Sequence, residues 1–381
     1  MRMFINFWYA AAEAAKLIDQ PMHVKILGQE FVLFRDSQGK AHCLSNTCIH
    51  RGASLAHGKV KGEAIECPYH GWQFRGDDGV CTKIPSLGKD AKIPARAKVD
   101  SYPVQEKYGL VFCFLGDLPE AERPPIIDIP EWDNPQWRVT LMTTLWKVNT
   151  LRGVENTLDP AHTEFVHPVM GFQGEREDYN VPQIEPIERD WGTGTKTKFV
   201  TPGAAGTLKA ELKGGAFQTE AEAGHHGATT TYTWIQFSPV SWSRQYTFNT
   251  PVDAHHTQKF FLQARNFAVD PSGDARMDVR TREVMDQDRV VMERVQPFFV
   301  PLSPTEEVIV PADRVIVRYR EWQKQWEAKG WLIDLDAVVA AGEHKKFAIP
   351  SPARRTNKGW ALDAVPLVGA GVAARVAAEC L

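Results

Sequence analysis

Two pairs of metal-ligand residues stand out in the first hundred positions. Cys48-Ile49-His50 is followed, after sixteen residues, by Cys67-Pro68-Tyr69-His70, and each pair is trailed by a glycine, Gly52 and Gly71. Glycine there lets a loop bend tightly around a bound group. Two thiolates and two imidazoles can close on zinc. A zinc finger, however, groups its cysteines and then its histidines. One Cys and one His in each of two loops suits a [2Fe–2S] centre with two thiolates on one iron and two imidazoles on the other. Neutral imidazoles leave less negative charge on such a cluster and raise its potential, so it accepts electrons readily. The other cysteines, Cys43, Cys81, Cys113 and Cys380, show no ligand spacing; Cys113 reads as inert core.

A second constellation runs from Glu155 to His167 (ENTLDPAHTEFVH). His162 falls on the helical stripe of Leu151, Val154, Leu158 and Phe165. A lone histidine on such a face is more often a satisfied core residue, but Asn156, Asp159 and His167 beside it point to a site. A spacing of five does not place His162 and His167 on one face of an ideal helix. Either the helix ends or bulges between them, or Pro160 resets it with Asp159 as N-cap. Two imidazoles and one carboxylate make a facial triad for non-haem iron with open positions. Helical phase nominates the carboxylate: Asp288 shares a face with Val284, Val291 and Val295, whereas Asp286 lies opposite, among Arg282, Arg289 and Glu293. A carboxylate on a core-facing stripe is costly unless it is paired or ligates a metal.

The elements that must position these residues follow from patterning. His23–Phe34, Ala41–Leu44 and the apolar run Leu110–Leu115 read as strands. Prolines 119, 124, 125, 130 and 135 mark a linker. Beyond it, Leu151–His167 reads as helical, Thr229–Phe267 as strands, and Thr281–Gln296 and Ala312–Lys329 as amphipathic helices. The fold class is α+β: a small β-domain, then a larger mixed domain. The expected division is 1–118 for the cluster domain, 119–136 for the linker and 137–381 for the catalytic domain. Trp234, Phe237, Phe248, Phe260 and Phe261 are candidates for an apolar substrate pocket, with ordinary sheet core as the competing reading.

Taken together, CIHRG…CPYHGW resembles the Rieske motif. Glu155, Asn156, Asp159, His162 and His167 match E-N-x-x-D-x-x-H-x4-H, and Asp288, Val291 and Glu293 match D-x-x-V-x-E. Over essentially its whole length the chain resembles the catalytic α subunit of the Rieske non-haem iron oxygenases. Its length and its Asn6–Tyr9 start are most similar to the homotrimeric α-only branch, with its aryl-ether O-demethylases and carbazole-type dioxygenases. The resemblance implies an all-β Rieske domain with Cys48, His50, Cys67 and His70 on the cluster. It implies a catalytic domain with an antiparallel sheet flanked by helices, and mononuclear Fe(II) on His162, His167 and Asp288. Asp159 and Asn156 are the implied catalytic residues. Asp159 would bridge His162 and His70 of the partner subunit, carrying electrons between protomers of a homotrimer. O2 is the implied co-substrate. Hydroxylation of an apolar aromatic or polycyclic substrate is the expected reaction, with loss of aldehyde where the attacked carbon bears an ether oxygen or amine nitrogen. Cis-dihydroxylation or steroid hydroxylation is the alternative, and an electron carrier or zinc-stabilised binding module a more remote one.

No nucleotide-binding fingerprint is present, so NAD(P)H would act through a separate flavoprotein reductase or ferredoxin. Arg51, Lys59, Lys61 and Arg75 could dock an acidic donor. The net charge of −3 argues against nucleic-acid or anionic-membrane binding. No apolar stretch reaches the roughly 18 residues of a membrane span. The N-terminus lacks a signal-peptide core, which makes the cytoplasm the expected location. The small-residue run from Ala361 to Leu381 reads as a packed or interfacial helix.

Overall fold

The computed structural model describes residues 2–168, 174, 184–199 and 219–369. The chain forms two compact units, Met1–Ile126 with Gln325–Leu381, and Ile127–Lys324.

The first unit is built on short antiparallel strands. β1 (Phe7–Glu13), β2 (Met22–Ile26), β3 (Gln29–Arg35) and β4 (Ala41–Ser45) are followed by β5 (Lys59–Lys61), β6 (Ala64–Glu66), β7 (Gln73–Arg75) and β8 (Cys81–Lys83). The C-terminal segment adds a short parallel pair, Phe347–Ala348 with Asp363–Ala364, and β9 (Ser101–Tyr102), β10 (Val104–Lys107) and β11 (Leu110–Leu115) complete the antiparallel set. They form three sheets, ordered β1-β11-β10, β2-β3-β4-β9 and β5-β6-β7-β8. The run His23–Phe34 is a hairpin and not one strand, because Leu27 and Gly28 both take positive φ, as a tight hairpin turn requires. All six residues of β11 are buried. Cys48 and Cys67 belong to the core, with Phe34, Leu55, Ile65 and Phe74.

Beyond the second unit, the described residues from Gln325 to Gly369 group with the first unit. Trp326 packs edge-on against Phe4 and Phe7, Phe4 bridges to Leu332, and Arg354 makes two 2.7 Å hydrogen bonds to Asp100. These partners lie hundreds of residues apart, so no local pattern announces them. The proline-rich stretch is a packed strap: Ile129 and Glu131 are buried, and Glu131 pairs with Arg244 and Tyr246.

The second unit is organised by one antiparallel sheet. β12 (Arg138–Trp146) precedes helices α1 (Thr150–Leu158) and α2 (Thr163–Val166). β13 (Glu185–Arg189), β14 (Gly192–Phe199), β15 (Thr219–His226), β16 (Thr230–Ser238), β17 (Ser241–Pro251) and β18 (Thr257–Arg265) follow, in sheet order β12-β18-β17-β16-β15-β14-β13. Helices α3 (Asp274–Met292) and α4 (Arg314–Ala328) come next. No helix among the described residues is long and apolar enough to cross a membrane. Residues 370–381, with Cys380 and most of the expected C-terminal helix, lie outside the described residues.

Candidate metal centres

The two cysteine loops share one geometry. Cys48 N donates to Ala53 O and Gly52 N to Cys48 O; Cys67 N donates to Trp72 O and Gly71 N to Cys67 O. Both glycines have φ near 70°, at 76° and 70°, a region that L side chains rarely adopt. The backbone offsets are identical, so the loops differ only in where they carry the imidazole. His50 and His70 meet with ring centroids 4.4 Å apart, and Trp72 stacks on His50 at 4.5 Å. Burial, and then the neighbouring Cys67, push the Cys48 thiol up to about 12. A bound metal would favour the thiolate there. His50 Nδ1 is buried without a hydrogen-bond partner. Two adjoining thiols, two adjoining imidazoles and an orphaned ring nitrogen fit a cluster with divided ligands. Cys43, Cys81 and Cys113 are buried and free.

The second centre starts from Pro160. Proline disfavours helical backbone in the residue before it, and Asp159 is extended at φ −77°, ψ 115°, closing α1 as its C-cap. The chain then makes one helical turn, α2, with His162 and His167 at its two ends. This is how residues five apart converge. Ending the helix also frees the Asp159 carbonyl, which accepts from His162 Nδ1 at 2.8 Å. His167 Nδ1 donates to Gln287 Oε1 at 3.2 Å. With both Nδ1 protons so held, each Nε2 presents a lone pair.

Those two Nε2 atoms lie 3.3 Å apart, and Asp288 Oδ1 is 3.5 Å from His162 Nε2 and 3.4 Å from His167 Nε2. Asp288 Oδ1 is buried with no hydrogen-bond partner. A metal bonded at about 2.0–2.2 Å separates adjacent ligands by about 3.0 Å in octahedral and 3.5 Å in tetrahedral geometry. The nearly equilateral triangle therefore fits one ion, and these residues form the three-ligand cluster found among the described residues. Burial draws His167 below its ordinary value, with Asp288 opposing.

Some neighbours differ from expectation. Val291 is 45% exposed, and the buried face of α3 is Met277, Thr281 and Met292, with Asp288 in phase with it. Phe165 is exposed, because the helical phase is lost at Pro160. Asn156 is half-buried on α1; its carbonyl accepts from Asp159 N, and its side chain is not joined to the triad. Asp159 Oδ2 stands 3.8 Å from His162 Nδ1. Asp286 pairs with Arg289, as expected of a surface charge. His225 is buried between Thr193 N and Gly227 O, and His256 is held by Asp253, so each has ordinary hydrogen-bond partners.

Strand parity divides the aromatic candidates between the two faces of the sheet. Gln263 and Arg265 meet Thr281 and Asp274 of α3, so odd-numbered residues of β18 face that helix. Phe261 shares this face. Phe260, its register partner Phe248, and Trp234 point to the opposite one, where Trp234 lies between Arg189 and Arg244. Phe237 packs on Phe267. The face turned to α3 instead presents Gln245, Thr247, Asn249, Lys259 and Gln263. Lys259 is buried over the Trp146 ring at 3.7 Å, and burial draws it down to about 8 against the pull of Asp288.

Sequence reasoning passed over Gln287 and Lys259, and gave no role to Trp72 or to the charges that hold α1. Glu155 is buried and takes 2.7 and 2.9 Å hydrogen bonds from Arg320, which also reaches Glu307 at 2.8 Å; Arg152 joins Glu307 at 2.7 Å. A glutamate followed directly by the motif asparagine was the available signal for this network.

Residues 7–103 match the Rieske [2Fe-2S] domain family, and residues 146–329 the vanillate O-demethylase oxygenase C-terminal domain family. The chain is 30% identical to the toluene-4-sulfonate monooxygenase iron-sulfur subunit TsaM1 of Comamonas testosteroni, covering 82% of this chain and 93% of that one. It is 29% identical to the methylxanthine N1-demethylase NdmA of Pseudomonas putida, over 82% of each. The solved structure of NdmB from Pseudomonas putida CBB5 superposes with a TM-score of 0.70 at 25% identity, covering 84% of this chain and 90% of that one. The matched domains and the length of the shared sequence establish that this chain belongs to the Rieske non-haem iron oxygenases, as a catalytic α subunit.

Proposed function

We propose that His162, His167 and Asp288 hold a mononuclear iron at which an aromatic substrate is hydroxylated or oxidatively demethylated, with O2 as co-substrate. The observation that carries this reading is the triangle of ligand atoms with an unpartnered Asp288 Oδ1. When bound, iron supplies oxygen activation, and a cluster on Cys48, Cys67, His50 and His70 supplies one-electron storage.

The chain's own residues do the rest. The Asp159 carbonyl and Gln287 keep the Nδ1 protons in place, so both Nε2 lone pairs stay set for ligation. The Glu155–Arg320–Glu307–Arg152 network fixes α1, whose end at Asp159 leads into the turn that carries His162. His70 is exposed, and the Asp159 carboxylate is half-buried beside His162. These placements support a homotrimer in which Asp159 bridges His162 and His70 of the partner subunit. Electrons come from a separate reductase or ferredoxin drawing on NAD(P)H, and exposed Arg51, Lys59 and Lys61 suit an acidic donor. Arg75 is tied to Asp78. The named reactions of TsaM1 and NdmA, monooxygenation and N-demethylation, support single-oxygen insertion.

The test is turnover under labelled O2 with a surrogate reductase. The substrate panel covers aryl ethers, N-methyl heteroaromatics, aromatic acids and steroids, with formaldehyde and diols both measured. One labelled oxygen per product, or formaldehyde release, is expected. A diol carrying two labelled oxygens would replace the monooxygenase reading with the dihydroxylating one.

A further inference from the structure

Lys259 is the third residue of β18 and is only 4% exposed. Helix α3 runs antiparallel over this strand. Asp274 pairs with Arg265, Thr281 Oγ1 donates to Gln263 Oε1, and Glu293 accepts from Lys147 N just beyond β12. Four strand residues from Gln263 cover about 13 Å, and seven helix residues from Thr281 about 10.5 Å. That register brings Lys259 beneath Asp288. From α1, Gly153 leaves it room: a Cβ there would lie 3.9 Å from Nζ.

The ammonium has the Trp146 ring on one side. Among the described residues no carbonyl, amide or carboxylate accepts a hydrogen bond from it. A buried ammonium with open donors is costly and calls for an acceptor. Such a site attracts anions. The neighbouring Asn249, directly across from Lys259 in the β17–β18 register, is fully buried, as is Thr247 nearly so, and neither brings a compensating negative charge.

We propose that Lys259 is the anion-recognition residue of the substrate site, selecting aromatic substrates that carry a carboxylate or sulfonate over their neutral analogues. This deepens the oxygenase reading and rests on it for the word substrate. The interaction itself is a charge-assisted hydrogen bond in a low-dielectric setting, the kind that discriminates most strongly.

The experiment is equilibrium binding, without turnover, to the full-length metal-loaded protein. The probes are benzoate and benzenesulfonate, each set against its neutral isostere, benzamide or benzenesulfonamide. Wild type should prefer the anions by about tenfold or more. K259M and K259Q should lose that preference while binding the neutral probes as before, and K259R should retain it. Equal affinity for anions and amides in wild type overturns the proposal, as does a preference that survives in K259M and K259Q, or no binding of any probe at millimolar concentration. Loss of iron from both variants with the preference intact would make Lys259 a positioning residue for Asp288 instead. Oxygen-dependent product is scored separately: its absence with every substrate defeats the oxygenase reading and leaves the binding preference measured.

Discussion

Replacing Glu155 with leucine should cost this protein about 4 kcal/mol, and replacing its partner as well should restore most of it. The carboxylate is buried, and burial raises its pKa while Arg320 opposes the rise. It receives two charge-assisted hydrogen bonds from Arg320 and faces Arg152 at 3.9 Å. Each such bond contributes roughly 1.5–3 kcal/mol, and breaking a buried pair from one side costs about 3–5 kcal/mol, because the orphaned charge stays buried. For a unit of this size each kcal/mol moves the midpoint by about 2–4 °C, so Glu155→Leu should melt roughly 8–16 °C lower. Arg320→Met alone should behave similarly. In the double variant Arg152 and Glu307 still pair at 2.7 Å and the network stays neutral, so it should come within about 1 kcal/mol of wild type. Calorimetric unfolding of the four proteins measures the cycle. Strictly additive losses would refute the claim that Glu155 and Arg320 act as one unit holding α1.

Gln287→Leu removes the acceptor that sets the His167 tautomer, and iron affinity should fall about 10–100-fold, read by metal titration against the wild type. Asp159→Asn keeps a carbonyl for His162 and should leave iron and cluster contents unchanged while slowing turnover sharply; normal rates would remove the bridging role. His225 is drawn down to about 4 by burial from an ordinary 6.5. The unfolded chain binds its proton first, so the folded state is disfavoured as pH falls from 6.5 towards 4, by about 3 kcal/mol in all. His225→Gln should flatten that part of the stability profile, measured by urea unfolding at pH 7 and pH 4.5; an unchanged slope would locate the acid sensitivity elsewhere.

Much of the site was legible because its chemistry restricts residue types. Cys48, His50, Cys67 and His70 were singled out by inventory and spacing, and the two loops that carry them turn on glycines at the same offset. Asp288 was reached through helical phase even though Val291, used to define the face, is exposed. Helical phase from three valines tolerates an error of one residue, and Met292 bears the burial that Val291 was assigned. Strand parity is less forgiving. One residue decides the face, and nothing in QKFFLQAR says which set points to α3, so the sequence leaves Phe248 and Phe260 between pocket and core and gives Lys259 no role. Pairings across long sequence separation, Glu155 with Arg320 or Phe4 with Trp326, leave no local trace at all. The hairpin at Leu27–Gly28 was hidden by a leucine in a conformation usually reserved for glycine.

The most direct test of the central claim is a count of iron and acid-labile sulfide in anaerobically prepared protein, beside the Asp288→Ala variant and with the reduced-cluster EPR signal recorded for both. The account predicts three irons and two sulfides per chain in the wild type. It predicts two irons and two sulfides in the variant, with the same EPR signal. Stoichiometric zinc without sulfide, or a variant that keeps its third iron, would contradict it.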